Sequence, residues 1–367
     1  MADAEEHWRR LERPKTLLCH DMMGGYLPQE TCPGGYKSAE PCFQFLHWAY
    51  IDQFVYFSHQ FVTIPPSGWV HAAHRNRTPI LGTLITEWDA GKQLCDELLA
   101  DVDWAVDRLV DIAEAYGFDG WLVNIENPIP REKLGLLVRL VRGLKEECRR
   151  RLGRWSSVIW YDSVILTSGT LKWQDELNPL NLGFFEAADG IFLNYCWKEA
   201  NLEASMELAA KSGREFDVYV GVDVFGRGCL GGGGFNCSTA LEVIRRCNSS
   251  VAIFAPGWLY ETLPKDQFQQ NSHKFWSLLK PYLSCGRLVA PMRAEGFSDG
   301  YEEDGSFHLS ATSLQPHYLC QPQSQPTSSP PYLISRSRLL IPRQPNVSSQ
   351  RTRKNQTPGL CKVMMSG

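Results

Sequence analysis

An apolar segment, GWLVNIE at residues 120–126, carries an amide and a carboxylate two positions apart, Asn124 and Glu126. Alternate side chains of an extended strand point to the same face, so these two residues share a face with Leu122. A Glu on an interior face needs a partner or keeps its proton through a raised pKa, which suits a general acid. A strand end that has reached solvent is the alternative, and the pair alone does not decide between them.

The pairing of an amide with a carboxylate favours one kind of glycoside chemistry. Most glycosidases use two carboxylates, but a sugar with a 2-acetamido group can supply its own carbonyl oxygen as the nucleophile. In that reaction Asn124 would hold the acetamide nitrogen and stabilise an oxazoline or oxazolinium. Glu126 would protonate the departing glycosidic oxygen and then deprotonate the incoming water.

Other chemistries have little support in the sequence. The nine His residues form no HExxH motif and no HxH pair, and no GxSxG motif occurs. The glycine run GRGCLGGGGFN at 226–236 lacks the Lys-Ser/Thr ending of a phosphate loop, so it predicts a flexible loop. We therefore predict neither a metal site nor a cofactor.

The elements that must position the pair alternate between strands and helices. Between residues 15 and 280 eight short β-branched or aromatic runs predict strands, at 16–22, 53–59, 79–86, 120–126, 157–163, 190–196, 217–225 and 251–258. Amphipathic stretches predict helices at 92–116, 131–152, 199–212 and 238–247. The α/β repeat indicates a (β/α)8 TIM barrel, with a doubly wound open sheet as the alternative. The first two connections look poor in helix.

Polar and aromatic residues recur where the predicted strands end. Barrel enzymes carry their chemistry at this C-terminal mouth, so the recurrence favours a functional Glu126 over a merely solvated one. The residues are His20, Asp21, His59, Glu87, Trp88, Asn124, Glu126, Tyr161, Asp162, Asn194, Tyr195, Asp223, Trp258 and Tyr260. Indole faces stack on sugar rings, so we predict a carbohydrate cleft that includes Trp173 and Trp197, whereas Trp121 and Trp160 are interpreted as core residues.

Composition limits the partners and the compartment. The 367 residues carry a net charge of -4, so nucleic acid is not the expected partner. No apolar run of membrane-spanning length occurs, and the N-terminus lacks the apolar core of a secretory signal, so we expect a cytosolic protein without a membrane partner. Twelve Cys without a CxxC pair are consistent with reduced thiols.

The predicted domain organisation has four parts. An N-terminal extension at 1–13 precedes the catalytic barrel at 14–290, which is followed by an irregular remnant at 291–318. Residues 319–367 are rich in Pro, Ser, Gln and Arg and predict a disordered tail. Its basic residues could contact a polyanion or could simply be solvated.

Seven motifs carry a resemblance to a known family. They are DGWLVNIEN, WAYIDQFVYFSHQFVTIPPSGW, LGTLITEW, WYDSV, LKWQDELN, DVYVGVDVFGRG and VAIFAPGWLYE. Over roughly residues 14–284 the chain resembles the cytosolic endo-beta-N-acetylglucosaminidases of glycoside hydrolase family 85. The resemblance implies cleavage between the two core GlcNAc residues of N-linked glycans, with retention of configuration, on glycoproteins and free oligosaccharides.

The resemblance also implies roles for individual residues. The catalytic Asn and Glu of the family fall on Asn124 and Glu126, and its helper Tyr falls on Tyr161. Sugar contacts are implied at His20, Trp48, Trp88, Trp173, Trp197 and Asp223. Family members usually continue into β-sandwich domains, so we expect a C-terminally truncated or alternatively spliced form. Two hypotheses follow, an active endoglycosidase and a weak or inactive glycan-binding fragment; glycan preference and oligomeric state are not predicted.

Overall fold

Eight parallel strands form a closed barrel in the computed structural model, which describes residues 13–31, 42–284, 300–303 and 306–309. Each strand lies within or beside one of the eight segments predicted from the sequence. The strands are Thr16–His20 (β1), Gln53–Tyr56 (β2), Ile80–Glu87 (β4), Gly120–Glu126 (β5), Ser157–Tyr161 (β6), Gly190–Leu193 (β7), Val218–Asp223 (β8) and Ser250–Phe254 (β9), and the two-residue strand Val62–Thr63 (β3) pairs antiparallel with β4.

The pairing pattern decides between a barrel and an open sheet. Strand β1 pairs with both β2 and β9, and β2 pairs with β4. From β4 the pairing continues strand by strand to β9, so each of the eight parallel strands has two neighbours. An open sheet would leave two edges unpaired. The predicted barrel is confirmed, and the doubly wound alternative is wrong.

Helices connect the strands and cover the barrel. They are Pro28–Thr31 (α1), Ser67–Arg75 (α2), Trp88–Ala100 (α3), Val102–Tyr116 (α4), Leu134–Arg151 (α5), Leu182–Ala187 (α6), Glu199–Ala210 (α7), Cys237–Arg246 (α8), Trp258–Glu261 (α9) and Phe268–Leu279 (α10). The predicted helix at 92–116 is divided at Asp101, whose side chain accepts a hydrogen bond from the Trp104 N–H and so caps α4.

The expectation of little helix in the second connection is wrong. Helix α2 has nine residues and buries Trp69, Val70, Ala72 and Ala73 against the barrel. Its apolar face is short and rests on small Ala side chains, so the periodic pattern is weak in the sequence. In the first connection, residues 32–41 lie outside the described residues.

The strands separate two apolar layers. Each barrel strand contributes at least one apolar residue to the interior, and eight of these residues are Leu17, Val55, Leu81, Leu122, Ile159, Phe192, Tyr219 and Ala252. The opposite faces pack against the helices, and Trp121 and Trp160 are fully buried in this outer layer, as predicted. Because side chains alternate along β5, Asn124 and Glu126 follow Leu122 onto the interior face.

A second, smaller sheet follows the barrel in the chain. Strands Gly300–Glu303 (β10) and Ser306–Leu309 (β11) pair antiparallel, which differs from the irregular structure expected over 291–318. The Asp-Gly dipeptide between them is typical of short hairpin connections and is the local signal that predicts such a pair. The predicted tail at 319–367 lies outside the described residues. Within the described residues, no helix is long and apolar enough to cross a bilayer.

Candidate active site

Asn124 and Glu126 lie at the C-terminal end of β5, on the face that lines the barrel. The register pairs Ile85 with Asn124 and Glu87 with Glu126, so the carboxylates of two adjacent strands end side by side. Asn124 is 4% exposed, and Glu126 is half-buried. The strand therefore delivers an amide and a carboxyl group to the floor of the mouth, with a second carboxylate beside them.

The surroundings of Glu126 raise its pKa. Burial has the largest effect, and the neighbouring Glu87 carboxylate adds to it. Hydrogen bonds from Asn124 and Trp173 and the charge of His59 act in the opposite direction but do not cancel the rise. A carboxyl group with a raised pKa keeps its proton to higher pH, which is the property that a general acid needs.

Replacing Glu87 with Gln should lower the pKa of Glu126, because it removes the nearest negative charge. If Glu126 acts as the acid, activity falls as pH rises through its pKa, so the alkaline limb of the kcat/KM profile should move to lower pH. The profile of Asp89→Asn is the control, since this exposed carboxylate lies two residues away and its ion-pair partner is Lys92. An alkaline limb that stays in place in Glu87→Gln would contradict the assignment.

The amide of Asn124 has an unused acceptor. Its Oδ1 is buried and has no hydrogen-bond partner among the residues that the structure describes. Buried polar atoms are nearly always paired, so an orphan oxygen in a cleft points to a ligand donor. An N–H group bound there would lie beside the carboxyl group of Glu126.

Tyr161 lies on the interior face at the end of β6. Its hydroxyl donates a hydrogen bond of 2.9 Å to Asn194 Oδ1, in the segment after β7. Burial raises the pKa of Tyr161 well above its usual value, and the charge of Glu126 raises it further. The phenol therefore stays protonated near the carboxyl group of Glu126.

Two indoles line the rim of the mouth. Trp88, which directly follows β4, is 82% exposed, and Trp173, in the loop after β6, is 42% exposed. Trp88 has a left-handed backbone (φ +57°), which costs a bulky residue on the order of 1–3 kcal/mol and is common at functional sites. Exposed, fixed indole faces suit stacking on sugar rings.

Asp223 ends β8 on the same interior face and is fully buried. Arg227 binds it through two atoms, with Nε to Oδ2 at 2.7 Å and a terminal nitrogen to Oδ1 at 3.2 Å. Arg227 is not among the residues predicted from the sequence, although its spacing of four residues from Asp223 within VDVFGRG is a signal that could have found it. The Asp223 carboxylate reaches the mouth already paired.

Three predicted sugar contacts lie away from the cleft surface. Trp48 packs in the outer layer against Phe54, and Trp197 is 4% exposed with its indole N–H donated to the Gly221 carbonyl. His20 is 2% exposed and points from β1 into the outer layer, where it bonds Glu30. The structure therefore places Asn124, Glu126, Tyr161 and Asp223 on the interior face at the strand ends, with the exposed Trp88 and Trp173 in the segments after β4 and β6. Trp48, Trp197 and His20 lie in the outer layer instead.

Glu30 is the centre of the buried network that holds His20. Its carboxylate accepts hydrogen bonds from His20 Nε2 (2.9 Å), Tyr56 Oη (2.8 Å) and Trp69 Nε1 (3.1 Å). This network joins α1, β1, β2 and α2 on the outer side of the barrel, so it holds the two helices against the two strands.

We expect Glu30→Ala to lower the free energy of unfolding by about 3–5 kcal/mol, because it leaves several buried donors without an acceptor. Urea denaturation followed by circular dichroism measures the change. Glu207→Ala, at an exposed position of α7, is the control and should have little effect. Equal stability of the two variants would remove the structural role given to the network.

The chain is similar to three endo-beta-N-acetylglucosaminidases over most of its length. The "Cytosolic endo-beta-N-acetylglucosaminidase" of Gallus gallus is 48% identical over 321 residues, 83% of this chain and 43% of the relative. The protein of the same name from Homo sapiens is 46% identical, covering 83% and 42%. "Cytosolic endo-beta-N-acetylglucosaminidase 2" of Arabidopsis thaliana is 44% identical, covering 83% and 42%. The chain thus spans about two fifths of the length of these relatives.

The fold is similar to that of a solved glycoside hydrolase domain, and the sequence matches a family. The glycoside hydrolase domain of Endo-D from Streptococcus pneumoniae R6 superposes with a TM-score of 0.58 at 21% identity, over 70% of this chain and 42% of that chain. At this identity the likeness supports the barrel fold alone. The sequence pattern of Glycosyl hydrolase family 85 matches residues 26–303, which is more than half of the chain. The chain therefore belongs to glycosyl hydrolase family 85.

Proposed function

We propose that this chain hydrolyses the GlcNAc-beta-1,4-GlcNAc bond of the N-glycan chitobiose core. The observation that carries the proposal is the buried, unpartnered Oδ1 of Asn124 beside a Glu126 whose pKa is raised. An acetamide N–H is a donor that this oxygen could accept. The same sugar then presents its glycosidic oxygen near the acid, on the adjacent interior position of one strand.

In the proposed reaction the substrate supplies the nucleophile. The acetamide carbonyl oxygen attacks the anomeric carbon while Glu126 donates its proton to the departing glycosidic oxygen, so one C–O bond forms as another breaks. Asn124 holds the acetamide N–H, and Tyr161 lies near Glu126. Glu126, now ionised, takes a proton from water, and the oxygen of that water opens the oxazolinium at the anomeric carbon from the opposite face, which restores the acetamide and gives net retention.

The relatives support the substrate class and the compartment. Three of them carry the words cytosolic endo-beta-N-acetylglucosaminidase in their names. We extend to this chain, as a proposal, a role on N-linked glycans of glycoproteins and on free oligosaccharides in the cytosol. The exposed Trp88 and Trp173 are the rim positions that would stack on the glycan.

The proposal is tested with the purified chain and a high-mannose glycopeptide. Mass spectrometry should detect a peptide that keeps one GlcNAc and a glycan that ends in the other. Reaction in ¹⁸O-labelled water should place the label on the released glycan, because water attacks the anomeric carbon. Binding of the glycopeptide without cleavage would instead favour the glycan-binding fragment, and absence of both would overturn the proposal.

A further inference from the structure

Asp175 connects the loop after β6 to the segment after β7. Its Oδ1 accepts hydrogen bonds from Asn194 Nδ2 at 2.7 Å and from the Cys196 N–H at 2.9 Å. Asn194 is the residue to which Tyr161 donates. The carboxylate of Asp175 is therefore two hydrogen bonds away from the Tyr161 oxygen, through a single side chain.

The chemistry of Asp175 fixes the direction of these hydrogen bonds. The carboxylate oxygen of Asp175 accepts from the Asn194 NH₂ group, so the amide oxygen of Asn194 faces Tyr161. The Tyr161 hydroxyl can then only donate to Asn194. The Tyr161 hydroxyl and the Asn194 amide thus both donate in the direction of Asp175.

We propose that Asp175 is a positioning residue that sets the orientation of the Tyr161 hydroxyl through the amide of Asn194. With the proton of Tyr161 held toward Asn194, the lone pairs of its hydroxyl oxygen stay fixed relative to the cleft. The inference rests on the proposed function, because it concerns the hydroxyl beside the reacting centre. Among the described residues, the hydrogen bonds of the Asp175 carboxylate go to Asn194 and Cys196.

The carboxylate of Asp162 holds the backbone around Asp175 in place. The buried carboxylate of Asp162, at the end of β6, accepts the N–H groups of Gln174 (2.9 Å) and Asp175 (2.8 Å). Asp175 adopts a left-handed backbone (φ +57°), a conformation that persists only where the surroundings enforce it. The same loop carries Trp173, whose indole lies close enough to Glu126 to lower the pKa of that carboxyl group. One loop therefore reaches both Glu126 and the relay, by which we mean the hydrogen-bonded chain from Asp175 through Asn194 to Tyr161.

A double-mutant cycle tests whether Asp175 acts through Tyr161. Asp175→Asn keeps the shape but adds donors, so Asn194 loses its single orientation. In the native background it should lower kcat about tenfold with little change in KM. In the Tyr161→Phe background the same change should have an effect of less than about twofold, because the hydroxyl is absent. Additive losses, or no loss in the native background, would overturn the inference.

A neighbouring carboxylate in the same loop supplies the matched control. Glu176 bonds Asn178 and Asn201 but does not touch the relay. Glu176→Gln should change kcat by less than about twofold relative to its parent, whether that parent is the native chain or the Tyr161→Phe variant. A non-additive loss in this variant equal to that of Asp175→Asn would mean that the loop as a whole, rather than the carboxylate of Asp175, carries the effect.

A spectroscopic measurement separates this inference from the proposed function. Tyrosine labelled with ¹³C at Cζ reports the hydrogen bonding of each hydroxyl, and Tyr161→Phe assigns the signal. Asp175→Asn should move that signal without any glycan, whereas Glu176→Gln should not. If Asp175→Asn shifts the signal but the native chain cleaves no glycan, the proposed function is refuted and the relay is kept. If the native chain is active but Asp175→Asn leaves the signal unmoved, the relay is refuted.

Discussion

Glu126→Gln should lower kcat on a glycopeptide by about 10³-fold, the largest loss that we expect from a single change. The Gln side chain has the same shape and length as that of Glu126, but its amide has no acidic proton to give to the departing glycosidic oxygen. It also cannot take a proton from water afterwards. Binding should persist, because the exposed indoles and Asn124 are unchanged. Steady-state kinetics with native and variant chains measure the change.

The leaving group provides the control for that prediction. The control substrate is a glycan that ends in a single GlcNAc linked to nitrophenol, a leaving group that needs little protonation. The rate of the first step in Glu126→Gln should therefore fall much less with this substrate than with the glycopeptide. Release of nitrophenol measures that step. Equal losses with both substrates would mean that Glu126 does not act as the acid, even if the variant is inactive.

Much of the site is predictable because strand geometry has a period of two. The spacing of Leu122, Asn124 and Glu126 is enough to predict that all three share one face, and closure of the barrel turns that face inward. Repetition of eight strands indicates closure, and the strand ends then locate the mouth. These inferences depend on local periodicity and on connection length, both of which are visible in one sequence.

The remaining positions depend on contacts that periodicity does not encode. Strand β1 is apolar on both faces, so its sequence gives no sign that His20 follows Leu18 outward. Trp173 and Trp197 look equivalent in the sequence, but the indole of Trp197 bonds the backbone of the neighbouring strand β8 and is buried. Asp175 lies in a loop, where no repeat marks its partner 19 residues further along.

Asn124→Ala should lower glycopeptide hydrolysis by about 10²–10³-fold and spare the use of a preformed oxazoline. The amide orients the acetamide and stabilises the charge that develops as the ring closes; an oxazoline donor enters after that step. Transfer of its glycan to an added GlcNAc acceptor, measured by chromatography, should therefore fall much less than hydrolysis. Glu126→Gln is the contrast, because it lacks the base for the acceptor hydroxyl and should lose both reactions. Equal loss of both in a folded Asn124→Ala chain would reduce Asn124 to a structural residue and remove the substrate-assisted step.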